Sequence, residues 1–196
     1  YAPPLAAGET AHVPENTTIL GALKLTGKTN GGLSVGLLTS LTQKERARIV
    51  SPLGDRRPVV EPFGSYTVAR LQKDWDKGNT TLGAMLTETH RFVDDPPLAF
   101  LPTNAFTAGV DLVRYFANRA FMFEARGVVS QVNGDRAAIQ ALQTNPVHYY
   151  QRPGTDHLGV DSHATSLFGH GGSLLVGSSG SRRLKLTEHF HWYSPG

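Results

Sequence analysis

Residues 19–38 decide the fold: Ile19-Leu20-Gly21-Ala22-Leu23-Lys24-Leu25-Thr26-Gly27-Lys28-Thr29-Asn30-Gly31-Gly32-Leu33-Ser34-Val35-Gly36-Leu37-Leu38. Ile19, Gly21, Leu23, Leu25 and Gly27 take the odd positions of the first half, and Ala22, Lys24, Thr26 and Lys28 the even ones. The second half repeats the alternation, with Leu33, Val35 and Leu37 against Ser34 and Gly36, and Leu38 as the exception. A period of two belongs to the β-strand, whose successive side chains point to opposite faces. Asn-Gly between two such runs is a strong hairpin signal, because both residues tolerate the positive φ that a tight turn needs.

The same alternation recurs outward along the chain. Phe63–Trp75 carries Arg70, Gln72 and Asp74 on one face and Ala69, Leu71 and Trp75 on the other. Thr80–Arg91 sets Leu82, Ala84 and Leu86 against Thr87, Thr89 and Arg91. Ala105–Phe116 sets Phe106, Ala108, Val110 and Leu112 against Thr107, Gly109 and Asp111. Ala120–Val132 sets Phe121, Phe123, Ala125 and Val129 against Glu124, Arg126 and Ser130. Ser166–Gly177 is a Gly-rich strand whose facing is open. Leu184–Tyr193 sets Leu184, Leu186, Phe190 and Trp192 against Lys185, Thr187, His189 and His191, with Glu188 on the apolar side. The one helix expected is Asp135–Leu142, short and Ala-rich. Residues 1–16 are rich in Pro, Gly and Ala without periodicity and read as loop, so 17–196 is expected to be a single β domain.

The connections carry the next inference. Short turns at 29–32, 76–79, 117–119 and 178–183 alternate with long loops at 43–62, 92–104 and 133–165. Up-and-down membrane barrels have this asymmetry, with short turns on one side of the bilayer and long loops on the other. The strand segments also suit a tilted membrane strand of ~9–11 residues better than the ~5–6 of globular proteins. A Lys or Arg facing lipid at the midplane costs about 2–4 kcal/mol. Lys24, Arg70, Asp74, Arg91, Asp111, Glu124 and Arg126 are therefore expected to face a wet lumen. Leu23, Leu25, Leu82, Leu86, Phe123 and Leu186 are expected to face lipid. Aromatic residues gather at the strand ends: Trp75, Tyr115, Phe116 and Phe121 by the short turns, and Phe63, Phe106, Trp192 and Tyr193 by the loops. Two interfacial girdles would place them so.

Composition agrees with a β-rich chain and closes several function classes. Among 196 residues, 19 Lys+Arg against 16 Asp+Glu leave a net charge of +3, too small to imply a nucleic-acid partner. Charged residues make up 18 %, below the ~25 % of average soluble domains. There are 21 glycines and no cysteine. A disulfide scaffold, a Cys-based zinc site and a thiol nucleophile are thus excluded. No apolar run approaches the ~20 residues of a membrane-spanning helix, and no signal-peptide pattern is read. The opening Tyr1-Ala2-Pro3-Pro4 suggests a processed product or an excised segment.

The stretch 19–38 also resembles an uncharacterised bacterial family. Members of that family carry a domain like a family-nine carbohydrate-binding module, followed by a long outer-membrane-type β-barrel. Further matches follow in the family's order: Val68-Ala69-Arg70-Leu71-Gln72-Lys73-Asp74, Leu82-Gly83-Ala84-Met85-Leu86-Thr87, Gly109-Val110-Asp111, Tyr149-Tyr150-Gln151-Arg152-Pro153 and Ser194-Pro195-Gly196. The resemblance spans nearly all of 17–196 and departs from the family in extent, since the module-like domain and later strands are missing. It implies a middle slice of a larger barrel in the bacterial outer membrane. It supplies no catalytic residues.

Chemical motifs are few. His189 and His191, at i and i+2 on one strand face, have metal-ligand spacing and are weak metal candidates. His157, His163 and His170, with Asp156 and Asp161, lie in or near the longest loop. Asp74-Trp75-Asp76-Lys77-Gly78 fails the EF-hand template, whose twelfth position would be Met85. Gly177-Ser178-Ser179-Gly180 is a tight turn, not a nucleophile elbow, and Gly169-His170-Gly171-Gly172 is no dinucleotide fingerprint. Asn16-Thr17-Thr18 and Asn79-Thr80-Thr81 fit the glycosylation sequon, a triplet common by chance.

The expected fold is all-β: an antiparallel up-and-down transmembrane β-barrel of about eight strands, part of a larger barrel, with one short helix in a long loop. The expected function is that of an outer-membrane barrel segment with a pore, transport or surface-anchoring role linked to saccharides. Its expected partners are membrane lipid, a saccharide ligand, and further strands or a second chain completing the barrel. No cofactor, nucleic acid or catalytic role is expected. Two alternatives stand beside it, a soluble secreted β-rich binding module and a surface hydrolase using loop histidines or carboxylates.

Overall fold

The computed structural model describes residues 1–52, 54–148, 150, 154, 158–179 and 185–194. Each of the eight alternating segments holds a strand, the last of them only from Thr187. In chain order the strands are β1 (Thr10–His12), β2 (Ile19–Lys28), β3 (Leu33–Thr42), β4 (Glu45–Arg46), β5 (Arg48–Val50), β6 (Val59–Glu61), β7 (Gly64–Trp75), β8 (Thr80–Arg91), β9 (Asn104–Phe116), β10 (Phe121–Asn133), β11 (Ser166–Ser178) and β12 (Thr187–Tyr193). The helix α1 covers Arg136–Gln143, one residue later than the expected Asp135–Leu142. The start of the last expected strand, Leu184, lies outside the described residues. So do most of the turn 178–183, His157, Asp156, most of Tyr149–Pro153, and Pro195-Gly196.

Eight of these strands form one antiparallel sheet in the order β12-β11-β10-β9-β8-β7-β3-β2. Each long strand pairs with its neighbour in sequence, as the alternating turns require. The expected barrel does not close within this chain. Among the described residues β2 and β12 each have one partner and do not meet. Their outer edges therefore carry unpaired backbone groups, the state of any sheet whose first and last strands are not joined. The tight turns use positive φ, at Gly32 (φ 81) after Asn30-Gly31, at Asp76, Lys77 and Gly78, and at Ala117, Asn118 and Arg119. For the non-glycine residues this conformation costs roughly 1–2 kcal/mol each.

The register assigns every side chain to a face, because directly paired residues share one. Lys24 pairs with Leu38, Gly36 with Arg70, Gly83 with Asp111 and Asp111 with Arg126. Ser173 in turn pairs with both Arg126 and His191. These residues therefore line one face, here the polar face. Leu23, Leu25, Leu82, Leu86 and Phe123 fall on the other, apolar face. Leu186 stands just before β12, where its carbonyl accepts the Ser178 N–H. Of the girdle residues, Tyr115 and Tyr193 sit on the polar face, whereas Trp75, Phe106, Phe116, Phe121 and Trp192 sit on the apolar one. Leu38 is on the polar face by register, as its break of the pattern foretold. β11 directs Gly169, Gly171, Ser173, Leu175 and Gly177 to the polar face.

The fully buried core is not in the sheet. Ile49, Leu98, Ala138 and Ile139 are 0 % exposed and all belong to the long connections. With Ala47, Val59, Val60 and Tyr150 they build a packed cap at the loop end. The segment 1–16, expected to be plain loop, contributes β1, which pairs with β5, while β4 pairs with β6. Helix α1 buries Ala138, Ile139 and Gln143. Gln143 Nε2 donates to the Asp161 carbonyl (3.0 Å), and its Oε1 accepts the Asp161 N–H (2.7 Å).

Candidate functional site

The charge chemistry of the sheet gathers on its polar face. Gly83, Asp111, Arg126, Ser173 and His191 form one transverse row across β8 to β12. The Arg70 guanidinium reaches this row from β7 and donates to both Asp111 oxygens, through Nη1 to Oδ1 and through Nη2 to Oδ2 at 3.0 Å. Gly83 makes that reach possible. A Cβ there would lie 2.6 Å from Asp111 Oδ2 and would collide with the guanidinium. Arg126, its side chain 63 % exposed, pairs with Glu124 on its own strand at 2.6 Å.

A second network sits one rung toward the short turns. Asp74 Oδ1 accepts from Gln72 Nε2 (3.2 Å) and Thr81 Oγ1 (3.1 Å), while Oδ2 accepts from Lys28 Nζ (3.3 Å). At the loop end, Arg91 Nε is buried without a hydrogen-bond partner, 4.0 Å from Glu61 Oε1. Lys24 shares the face at the exposed edge strand β2. All seven sequence-picked charged residues therefore stand on one face, and Lys28 and Gln72 join them.

His189 and His191 lie on this face of the edge strand β12, ring centroids 3.8 Å apart. Among the described residues no group of three metal-ligating side chains converges. His170 is on the apolar face, beside Phe168. His163 belongs to a local turn in which its N–H donates to Asp161 Oδ1.

The loop cap holds ion pairs that carry no sequence signature. Lys44 Nζ bridges Asp94 (2.7 Å) and Asp95 (2.9 Å), tying the 43–62 loop to the 92–103 loop. Those hydrogen bonds, to Asp94 first, hold the Lys44 ammonium above its usual range and the Asp94 carboxyl below its own. Arg56 pairs with Glu9 at 2.8 Å and keeps that carboxyl low. The partners are 47 residues apart in sequence, a separation at which no local motif pairs them.

No helix among the described residues is long and apolar enough to cross a membrane, which bears on helices only. No curated protein and no solved structure matches the chain. A family model described as a domain of unknown function, DUF5916, matches residues 4–137, and the chain belongs to that family.

Proposed function

We propose that this DUF5916 chain forms part of the wall of an outer-membrane β-barrel, its polar face toward a water-filled lumen and its apolar face toward lipid. One observation carries the reading: among the described residues no protein layer covers the apolar face. Leu71 and Val110 are 51 % and 59 % exposed in mid-sheet. Across seven strand spacings of ~4.8 Å and a band ~20 Å tall, this is roughly 700 Å² of apolar projection. The largest patch on a soluble monomer is about 300–600 Å², and a soluble sheet buries its apolar face against a second layer. Charges on the apolar face, such as Lys73, Arg114 and Glu88, lie toward the strand ends, outside that band. The unpaired edges at β2 and β12 support a barrel completed by strands beyond these eight, since open edges are not tolerated in hydrocarbon.

The role assigned to such a wall is a pore, a transporter or a surface anchor. Its link to saccharides rests on the resemblance to barrels that follow a carbohydrate-binding-module-like domain. These 196 residues contain no cysteine, so once any cysteine elsewhere in the full chain is replaced by serine the test is direct. Single cysteines are placed along β9 in the full natural chain in isolated outer membranes, at Phe106, Ala108 and Val110 and at Thr107, Gly109 and Asp111. A water-soluble maleimide should label 107, 109 and 111, and a lipid-dissolved reagent 106, 108 and 110. Equal labelling of both sets by the water-soluble reagent, with the protein in the soluble fraction, would establish the binding-module alternative instead.

A further inference from the structure

The two ends of the apolar face differ in charge. By register its Lys and Arg residues within the sheet are Lys73 and Arg114, and both lie at the short-turn end. At the loop end the same face carries Glu88, His90, Asn104, Gln131 and Asn133. The two cations stand among aromatic rings. Lys73 Nζ lies 5.9 Å from the Trp75 ring centroid and donates to the Gly31 carbonyl. Trp75 pairs with Thr80, which pairs with Arg114. Phe116 and Phe121 stack at 5.7 Å immediately beyond. Lys73 and Arg114 are two strands apart, about 10 Å laterally at the usual strand spacing. The acidic groups nearby are Asp76, in the 76–79 turn, and Glu188, three strands from Arg114 on β12. Asp74 points to the other face, where Lys28 holds it.

We infer that this basic, aromatic rim is a docking surface for anionic phospholipid headgroups in the leaflet that the short turns meet. The inference rests on the membrane reading above. Its chemistry is that of an interface: aromatic rings settle at headgroup level, and a Lys or Arg there attracts phosphate-bearing lipid. Arg114 is exposed. Lys73 keeps its stem along Trp75 and its ammonium at the turn, as a snorkelling side chain does. The loop end has no such cations on this face among the described residues, so the preference is one-sided.

The test uses the full natural chain folded into vesicles of phosphatidylcholine alone or of phosphatidylcholine with 30 mol% phosphatidylglycerol. The folding equilibrium constant is read by urea titration. Each cation near an anionic surface is worth about five-fold, and the two together roughly twenty- to thirty-fold. The wild-type constant should therefore be more than tenfold larger in the anionic vesicles. Lys73→Gln with Arg114→Gln should lower that ratio at least five-fold, Lys73→Arg with Arg114→Lys should keep it, and Glu88→Gln should not lower it. If the double variant folds in neither vesicle, each single substitution is read in its place. A wild-type ratio near one, or a ratio that both neutralising substitutions leave within two-fold of wild type, overturns the rim and leaves the membrane reading standing. A wild-type chain that enters neither vesicle overturns both.

Discussion

Val110→Arg separates a lipid-facing sheet from a water-facing one. Val110 is the central residue of the 13-residue strand β9 and is 59 % exposed. Its direct neighbours on the apolar face are Ala84 and Gly127, so an arginine there finds room and no anionic partner. At 3.4 Å per residue the strand runs about 41 Å, and a 35–45° tilt leaves about 30 Å along the membrane normal. Val110 then lies near the midplane, where an arginine costs about 2–4 kcal/mol. That is roughly 30- to 700-fold in the folding equilibrium. In water the same exchange at an exposed position stays within about 0.5 kcal/mol. The assay is urea unfolding of the full natural chain in vesicles, alongside the fraction assembled in outer membranes. Thr107→Arg, on the polar face of the same strand, is the control and should be near neutral. A Val110→Arg variant within 0.5 kcal/mol of wild type refutes the lipid assignment. A Thr107→Arg variant more damaged than Val110→Arg means that the faces are inverted, the result of a one-residue register slip.

Three further outcomes follow from the geometry. Ile139→Ala empties a fully buried position in the loop cap and should cost about 2–5 kcal/mol, read as faster proteolysis of the 133–165 loop with the sheet's amide protection unchanged. A double-mutant cycle on Arg70 and Asp111 should give a coupling near the upper end of ~0.2–1 kcal/mol for exposed pairs, because the pair is bidentate and half-buried; Glu124 with the more exposed Arg126 should fall at the lower end. The Lys44–Asp94 clamp should loosen in acid. Its carboxyl is depressed below 3.8 in the folded state, so its contribution is present above that pH and is lost as pH falls through the folded value; the raised Lys44 adds a contribution present below pH 10.5 and lost as pH rises through its higher folded value. Amide protection at Leu98, whose N–H donates to the Asp95 carbonyl, should fall in acid below pH 3.8, and protection there that follows the sheet's own all the way to acid unfolding would contradict the clamp.

What was legible in the sequence is what repeats. The eight long strands and the face of each charged residue follow from odd and even numbering, because one pleat governs every strand. Asn30-Gly31 announces its own turn. Glu188, an exception in the pattern, proves to be an end residue beyond the apolar band. The loop cap was not legible. β1, β4, β5 and β6 have two or three residues each, too few for periodicity to register, and their partners are distant in sequence. Ile49 and Leu98 became core through loops that pack on one another. No period of two or 3.6 marks such packing. The facing of β11 was hidden because glycine has no side chain to alternate. Register settles it, and Gly172 is glycine because a Cβ there would collide with the Trp192 ring.

The neighbour-to-neighbour order of the sheet has a consequence for its width. Each hairpin consumes one free edge and presents an equivalent one two strands further on. The register of β10 on β9 makes no reference to whether β2 exists. Removing residues 104–133 would bring β11 into the place of β9, running in the same direction with the same alternation of faces. Circumference is therefore a count of hairpins, not a property written into any one of them. A lineage can widen or narrow such a sheet by duplicating or losing one hairpin at a time, while the cap and the turns keep their designs.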